Sequence, residues 1–409
     1  MDNYSLFERF ISSKIKRSSF FHSKLKYCYQ YLNYLMHKKE SEYSINKLCT
    51  IKEYNLESPN FFGYYDHSPW NNDMNYFLSH YENEGCIYIQ VFDCCKNIII
   101  KKIKVGTKFN YQQGVRPIWI DKTRFIFNEF KSNNLCSVIY DIKKNSRTTL
   151  DYPIQEVCLD RSILLSLNYG DYEKINKDYG YGLKDENSNN TSGIIAYSYD
   201  NKKIFEIEKI RIHNKSSNLS HIDKCEINHI SHCRGSNRIL FIYRDSSSCS
   251  NLFLYNLDTD NLKCVFSGTI VSHYCWINQN QVIAFIGKTI DSQNYFLIDL
   301  KKGNYEIIHN DMGKNGDGHP SISPNKEWLV YDSYPNKSRM IKINLFNLKE
   351  NYIIELGSFY SSMRYYGYYR CDLHPRWSPD GKNISIDSTH EGFRKNYIID
   401  VSKIVRIKR

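Results

Sequence analysis

The 409-residue chain carries a net charge of +11 at neutral pH and is rich in aromatic residues, with 35 Tyr and 21 Phe. Its 13 Cys have no regular spacing, which excludes the usual pattern of a small disulfide-stabilised secreted domain. The sequence has no apolar run of about 18 residues and no motif of a DNA- or RNA-binding module, so it excludes a helical membrane protein and predicts no nucleic-acid partner.

Residues 1–45 are predicted to form a basic helical extension. Apolar side chains recur there at helical spacing: Leu6, Phe10, Ile11, Ile15, Leu25, Cys28, Tyr29, Leu32 and Leu35. One interpretation is a helical hairpin packed on the rest of the protein. The other is a basic amphipathic segment that docks on the inner membrane or on a partner glycosyltransferase. Because the first residues lack the apolar core of a signal peptide, we expect a cytoplasmic protein, peripheral at the inner membrane under the second interpretation.

A short pattern recurs from residue 67 onward. It consists of an index residue, often a Trp three places later, and a β-rich segment that begins about ten places after the index residue. The index residues are His67, Arg116, Gln155, His229, His273, His319 and His374. The β-rich segments are 76–79, 125–128, 163–167, 239–243, 282–286, 328–332 and 384–387.

Seven such units predict an all-β fold, a seven-bladed β-propeller over residues 46–409. Successive index residues lie 39 to 55 positions apart, except that Gln155 and His229 lie 74 apart. That gap predicts an insertion in the third blade, at 166–182. Separately, residues 47–55 are predicted to form an outer strand that completes the last blade. A sandwich or a run of unrelated hairpins is the rival fold, and the recurring offset favours the propeller.

The index positions predict a cluster at the centre of the ring, because the first strand of each blade lines the channel. Imidazoles from consecutive blades could hold a divalent transition metal such as Mn or Zn, with His273, His319 and His374 as ligands and His229 beside them. Asp317 and Asp372 stand two residues before two of these histidines, as ligands or as groups that orient the rings. The alternative is a water-filled polar channel.

Other residues suit an anionic ligand. The candidate cations are Arg116, Arg244, Arg370 and Arg376. In the third-blade insertion, Tyr179 and Tyr181 are either an acid or base over the channel or part of a tight turn. The aromatic segment 359–370 is either a strand edge or a loop that stacks on sugar rings through residues such as Tyr368.

Four motifs carry a resemblance to a known family. GYYDHSPW at 63–70, YQQGVRPIW at 111–119, DGHPSISP at 317–324 and DLHPRWSPDG at 372–381 resemble the propeller-type polysaccharide lyases. These include oligogalacturonate lyases, ulvan lyases and relatives associated with bacterial surface polysaccharides. The resemblance covers roughly residues 61–401.

The resemblance implies cleavage of a uronate-containing glycan by β-elimination. It implies His229 or His273 as the base, Arg244 or Arg116 as the carboxylate clamp, His319 and His374 as metal ligands, and a tyrosine of the insertion as proton donor. The candidates for saccharide contacts are His67, Trp70, Gln113, Tyr368, Arg370 and Arg376.

Two non-enzymatic interpretations stay open. One is a propeller scaffold that binds a surface-polysaccharide intermediate or a glycosyltransferase, and the other is a general protein-interaction propeller. The diffuse positive charge suits an acidic saccharide or an anionic membrane surface. We expect a monomer.

Overall fold

A computed structural model describes residues 20–132, 134–183, 193–216, 220–245 and 249–406. Its strands form seven antiparallel sheets, six with four strands and one with five. Each sheet is one blade, and the blades follow one another in chain order around a ring. The predicted seven-bladed β-propeller with a short N-terminal helical extension is confirmed.

In the part of the chain that the structure describes, one helix and two short strands precede the first blade. The helix α1 spans Phe20–His37. The strand β1 (Tyr43–Ile45) pairs with the outer edge of blade six, and β2 (Thr50–Lys52) pairs with the outer edge of blade seven. The prediction of an outer strand within 47–55 is therefore confirmed. The apolar positions predicted to be helical before residue 20 lie outside the described residues.

The strands of the blades are short and joined by tight turns. Blade one consists of β3 (Asn60–Phe61), β4 (Tyr76–Asn83), β5 (Cys86–Asp93) and β6 (Ile98–Gly106). Blade two consists of β7 (Ile118–Trp119), β8 (Arg124–Lys131), β9 (Asn134–Asp141) and β10 (Ser146–Leu150). Blade three consists of β11 (Glu156–Cys158), β12 (Ile163–Leu167), β13 (Gly193–Ser198) and β14 (Lys203–Glu208). Blade four consists of β15 (Cys225–His232), β16 (Arg238–Asp245), β17 (Ser250–Asn256) and β18 (Asn261–Gly268). Blade five consists of β19 (Ile270–Asn278), β20 (Gln281–Gly287), β21 (Asn294–Asp299) and β22 (Asn304–Ile307).

Blades six and seven take their outermost strands from the N-terminal part of the chain. Blade six consists of β23 (Ser321–Ile322), β24 (Trp328–Asp332), β25 (Met340–Asn347) and β26 (Tyr352–Tyr360), together with β1. Blade seven consists of β27 (Arg376–Trp377), β28 (Asn383–Ser388) and β29 (Lys395–Asp400), together with β2. Three further helices are α2 (Tyr169–Ile175), α3 (Lys209–Asn214) and α4 (Ser402–Val405). The predicted third-blade insertion is α2 and the turn of 3-10 helix at Lys177–Tyr179 that follows it.

Alternating apolar residues bury both faces of each blade, because successive side chains of a strand point to opposite faces. In β8, Phe125 and Phe127 belong to a hydrophobic cluster shared with Leu78 of blade one. The residue between them, Ile126, belongs to a different cluster shared with Leu164 of blade three. The core of the protein is therefore a series of apolar layers between blades, and the polar channel lies where the first strands meet.

The recurring tryptophans tie each blade to the one before it. The indole of Trp119 donates a hydrogen bond to the Pro69 carbonyl oxygen at 2.8 Å. The indole of Trp377 donates in the same way to the Ser321 carbonyl oxygen at 3.0 Å. Trp276 reaches the Ser231 hydroxyl, also at 3.0 Å. Each acceptor stands two places after the index residue of the preceding blade, so these tryptophans repeat because the blade junction repeats.

Candidate functional site

Four histidines from blades four to seven meet at the centre of the ring. The ring centroids of His229 and His273 lie 5.2 Å apart, those of His273 and His319 lie 4.3 Å apart, and those of His319 and His374 lie 4.2 Å apart. Each of the four is at most 4% exposed. We call these four residues the histidine cluster. The sequence prediction that consecutive index histidines converge is therefore matched by their positions.

The backbone at these positions departs from regular strand geometry. The strand register shifts between Asn228 and Ser231, where His229 lies, and again between Val271 and Tyr274, where His273 lies. Such bulges re-aim side chains. His229 and His374 also have φ of +50° and +46°, a left-handed conformation that costs a non-glycine residue about 1–3 kcal/mol. Strain of this kind is concentrated at functional sites, where the rest of the fold maintains it.

The carboxylate of Asp332 connects blades six and seven at the histidine cluster. It accepts hydrogen bonds from the backbone N–H of His319 at 2.7 Å and from that of His374 at 3.0 Å. It also lies 2.9 Å from Nδ1 of the His319 ring, which directs Nε2 of that ring into the channel. The neighbouring Gly318 has no space for a Cβ, which would lie 1.9 Å from the Asp332 carbonyl oxygen.

Two histidines of the cluster and the adjacent Asp372 form a set that could hold a metal ion, called here the metal set. Ligand atoms of His319, Asp372 and His374 all lie within 4.8 Å of one another. Nε2 of His319 and Nε2 of His374 are buried and have no hydrogen-bond partner in the described part of the chain. Two unpartnered imidazole nitrogens beside a carboxylate form a donor set that suits Zn²⁺ or Mn²⁺.

His273, the third predicted metal ligand, lies next to this set. Its Nδ1 is 3.1 Å from the Asp317 carboxylate, and its ring packs against that of His319. Asp317 orients the His273 ring, whereas Asp372 offers its own oxygen to the metal set. Asp317 and Asp372 therefore differ in position, since one lies beside His273 and the other in the metal set. His273 remains a predicted ligand.

Two consecutive tyrosines of blade one cover the cluster. The Tyr64 hydroxyl lies 2.8 Å from Nδ1 of His229, and its ring lies 4.9 Å from that of His374. The Tyr65 ring lies 5.4 Å from that of His319. Tyr179 of the insertion meets the Tyr64 ring edge-on at 5.9 Å. The histidines are therefore flanked by phenol rings, and the Tyr64 hydroxyl can exchange a proton with His229, whereas the Tyr65 hydroxyl donates to the Tyr274 carbonyl oxygen at 3.0 Å.

Burial and neighbouring charges shift the pKa values of the four imidazoles in different directions. Burial, together with the neighbouring imidazoles and arginines, lowers the pKa of His229 and of His374 well below the usual range. Burial also lowers the pKa of His273, although Asp317 opposes the shift. At His319 burial acts in the same direction, but the carboxylates of Asp332, Asp372 and Asp317 together outweigh it and raise the pKa. His319 is thus the most basic member of the cluster, and the other three are neutral at neutral pH.

Two of the predicted cations, Arg116 and Arg244, lie beside the cluster, each paired with an acid. Arg244 donates to Glu226, whose second carboxylate oxygen is buried and unpartnered within the described residues. Arg116 donates to Asp66. Both guanidinium groups are charged and fixed in position, so they can present a constant positive field to an anionic ligand.

A bridge between two loops closes one mouth of the channel. Arg370 contacts Asp178 of the insertion and also donates to Asp372 of the metal set at 2.9 Å. Tyr368 on the same loop donates to the Phe109 carbonyl oxygen at 2.8 Å. The aromatic segment 359–370 is thus the end of β26 followed by a loop held over the mouth. The bridge therefore ties the insertion and this loop to Asp372, beside the histidine cluster.

The structure places several other predicted residues away from the histidine cluster. Trp70 is 2% exposed among Phe77, Phe92 and Ile398, so it packs blade one against blade seven. Arg376 is buried in an ion pair with Asp387 at 3.1 Å.

Three more predicted residues have interior or flanking positions. The Tyr181 hydroxyl accepts a hydrogen bond from Asn128. Nε2 of His67 lies 3.5 Å from the Glu156 carboxylate. The amide of Gln113 is buried, and neither of its polar atoms has a partner in the described part of the chain. Of these, Gln113 retains unused hydrogen-bonding capacity.

Sequence reasoning missed Tyr64, Tyr65, Asp332 and Glu226. The two tyrosines stand two and three places before the index histidine of blade one, inside the motif GYYDHSPW, and that position was the available signal. Asp332 ends a second strand and so lies outside the index pattern. Glu226 precedes His229 by three places on β15, and nothing in the sequence distinguishes it from other acidic residues.

Solved structures similar to this chain include two oligogalacturonate lyases. One, in complex with manganese, has a TM-score of 0.61 and 11% identity, covering 88% of this chain and 97% of that one. The other, from Vibrio parahaemolyticus, has a TM-score of 0.58 and 11% identity, covering 89% of this chain and 99% of its own. The shared feature is the propeller fold.

The same fold occurs in other contexts. A chain of the mitotic checkpoint complex has a TM-score of 0.53 and 12% identity, covering 88% of this chain and 94% of that one. Identities this low show the fold alone, and function has to be argued from the site. No family model matches the sequence, and no curated protein matches it. In the part of the chain that the structure describes, no helix is long and apolar enough to cross a membrane.

Proposed function

We propose that the protein binds a uronate-containing saccharide at the channel mouth and cleaves it by β-elimination, assisted by a divalent transition metal. The observation that carries this proposal is the buried pair His319 and His374, whose unpartnered Nε2 atoms lie beside Asp372. The propeller fold shared with oligogalacturonate lyases supports it.

The metal ligands would be His319, His374 and Asp372, with His273 as the further predicted ligand. A divalent ion bound there supplies positive charge that neutralises a uronate carboxylate and makes the adjacent C5 proton more acidic. Arg244 and Arg116 add fixed positive charge on the other side of the cluster. Each of these guanidinium groups is already paired with a carboxylate, so a uronate would share it with Glu226 or Asp66.

The elimination itself is carried by the imidazoles and phenols. It breaks the C5–H bond and the bond from C4 to the glycosidic oxygen, and it forms a C4=C5 double bond. His229 or His273 can accept the proton, because burial keeps both imidazoles neutral. Burial raises the pKa of Tyr64 and of Tyr179, so their hydroxyl groups keep a proton that can be given to the leaving oxygen.

The test is an absorbance assay for the unsaturated uronate product. The purified protein is incubated with Mn²⁺ or Zn²⁺ and a panel of oligogalacturonates and other uronate oligosaccharides. Turnover is expected to require the metal and to be lost in His319→Ala and His374→Ala. His232→Ala is the matched control, because His232 lies on β15 with His229 but bonds the Ser236 carbonyl oxygen. Its activity should be unchanged.

A non-catalytic scaffold is the alternative function. It is supported by the burial of the whole histidine cluster beneath the Arg370 bridge. In this case the protein would bind a surface-polysaccharide intermediate or a glycosyltransferase without changing it. Metal-loaded protein that binds an acidic oligosaccharide and cleaves no member of the panel would contradict the lyase and favour the scaffold.

A further inference from the structure

The helix α1 has its apolar face turned away from the propeller. Its outward positions are Cys28, Tyr29, Leu32, Leu35 and Met36, which share one stripe of a helix with 3.6 residues per turn. Leu32 is 57% exposed, Leu35 is 54% exposed and Met36 is 71% exposed. We call these five residues the outer stripe. Large apolar side chains grouped on a surface mark an interaction site.

The inward face of α1 is the more polar one. Asn33 is 4% exposed, and Nδ1 of His37 contacts the Asn33 carbonyl oxygen at 2.8 Å. Tyr34 stacks on Tyr360 of blade six at 5.5 Å, and Tyr27 meets Tyr366 edge-on at 5.3 Å. A surface helix of a globular protein normally has the opposite arrangement, with its apolar face toward the core. Packing on the propeller therefore does not account for the outer stripe.

The charges on and next to α1 are mostly positive, with Lys24, Lys26, Lys38 and Lys39 against Glu40 and Glu42. The 18 residues of the helix include no Asp and no Glu. Lys38 and Lys39 follow its C-terminal end and are exposed. The whole chain carries a net charge of +11, so two copies brought together by this face would repel each other. An anionic lipid surface would attract it, and the tyrosines beside the stripe suit the membrane–water interface.

We propose that the outer stripe of α1 lies in the headgroup region of an anionic membrane and holds the propeller at the membrane surface. The apolar stripe would enter the boundary between headgroups and acyl chains, while Lys38 and Lys39 would contact lipid phosphates. This inference depends on α1 alone and does not require the site to be a lyase.

The test is co-sedimentation of the full chain with vesicles. One set contains phosphatidylcholine only, and the other contains phosphatidylcholine with phosphatidylglycerol. Binding is expected for the anionic set and should weaken as salt is added. The triple variant Leu32→Glu, Leu35→Glu and Met36→Glu should lower the affinity by more than about tenfold, because it removes apolar area and adds negative charge.

The matched control carries the same type of substitution elsewhere on the surface. Ile98 is 50% exposed and Ile307 is 46% exposed, both on strands of the blades. Ile98→Glu and Ile307→Glu should reduce vesicle binding far less than the triple variant, and circular dichroism should show all variants folded.

Three outcomes would overturn the proposal. They are no binding to anionic vesicles, equal loss of binding in the control, and a dimer of the unaltered chain that the triple variant abolishes. The last result would show that a second copy covers the outer stripe.

Discussion

At the scale of single residues, Asp332 is the group on which the metal set depends. Its carboxylate fixes the backbone of two neighbouring blades and orients one imidazole. It does so from β24, the second strand of blade six, whereas the histidines belong to the index pattern. Partners of this kind set both the direction and the basicity of a ligand ring. His319 therefore owes its position to a residue outside the index pattern.

Asp332→Asn should weaken metal binding by about 10- to 100-fold while the protein stays folded. The amide keeps the size of the side chain but loses the negative charge that supports the His319 ring. Titration with Zn²⁺ or Mn²⁺ followed by calorimetry measures the change. Asp299→Asn, at a turn where the acid accepts backbone N–H groups, is the control and should bind metal normally. If the Asp332→Asn protein bound the metal as tightly as the unaltered protein, Asp332 would have no role in supporting the His319 ring.

A second residue-scale prediction concerns His80, which is buried between blades one and two. Its Nε2 accepts a hydrogen bond from the Val115 N–H at 3.0 Å, which only an unprotonated Nε2 can do. Burial lowers the pKa of His80 from 6.5 to about 4 against the opposing charge of Asp387. Its contribution to stability is therefore complete above pH 6.5 and is lost as the pH falls toward 4.

The loss from His80 alone should approach about 3 kcal/mol in the free energy of unfolding. Urea unfolding of the protein over this pH range measures it. His80→Gln cannot take up a proton, so its unfolding free energy should depend less steeply on pH. An identical slope in the two proteins would show that His80 does not titrate in this range.

At the scale of elements, the loop that carries Arg370 and the insertion that carries Asp178 act as a closed cover over the site. The pair is partly exposed to solvent, so its contribution to global stability is small. We expect its effect to be kinetic, because opening of this cover would set the rate at which a reagent reaches the cluster.

Asp178→Asn should let small reagents reach the histidine cluster several-fold faster, with little change in the free energy of unfolding. The rate at which diethyl pyrocarbonate modifies the buried imidazoles, followed by mass spectrometry, measures this. Asp171→Asn lies on α2 of the same insertion, where its acid pairs with Lys174, and should leave the rate unchanged. Equal rates in all three proteins would mean that the bridge does not limit access.

The elements of this fold could largely be predicted from the sequence, because each blade repeats the same order of index residue, turn and strand. The recurrence identified the channel histidines, since equivalent positions in a ring meet at its centre. It did not separate the roles of the repeated residues. Trp70 was predicted to contact a saccharide, but it packs a junction between blades, as Trp119 does at the same register position.

What the sequence did not reveal depends on contacts between blades. Asp332 reaches two histidines only because blades six and seven lie side by side. Tyr64 and Tyr65 enter the cluster because blade one places the residues before its index histidine there. No local pattern encodes such contacts.

At the scale of the whole molecule, the ring is closed between blades seven and one. Asp387 accepts hydrogen bonds from the backbone N–H groups of Phe62 and Gly63 at 3.0 and 2.9 Å and pairs with Arg376. The junction therefore combines β-strand pairing by β2 with a fully buried ion pair.

Asp387→Ala should lower the free energy of unfolding by about 3–5 kcal/mol, because it leaves the Arg376 charge buried without a partner. Urea unfolding monitored by circular dichroism measures the change. Asp380→Ala, in the exposed turn of the same blade, should cost far less. The double variant Arg376→Met and Asp387→Ala should recover part of the loss, and a loss no larger than that of Asp380→Ala would contradict a stabilising junction.

The pairing of Thr50–Lys52 with Lys395–Asp400 also sets the order of events on the ribosome. The first of these segments is synthesised early and has to wait, unpaired, while the rest of the ring is made. A nascent chain therefore carries an open arc of blades with a free strand edge at each end. A product that terminates before residue 395 keeps those edges, which leaves incomplete chains prone to aggregation and distinguishable by proteases from finished ones.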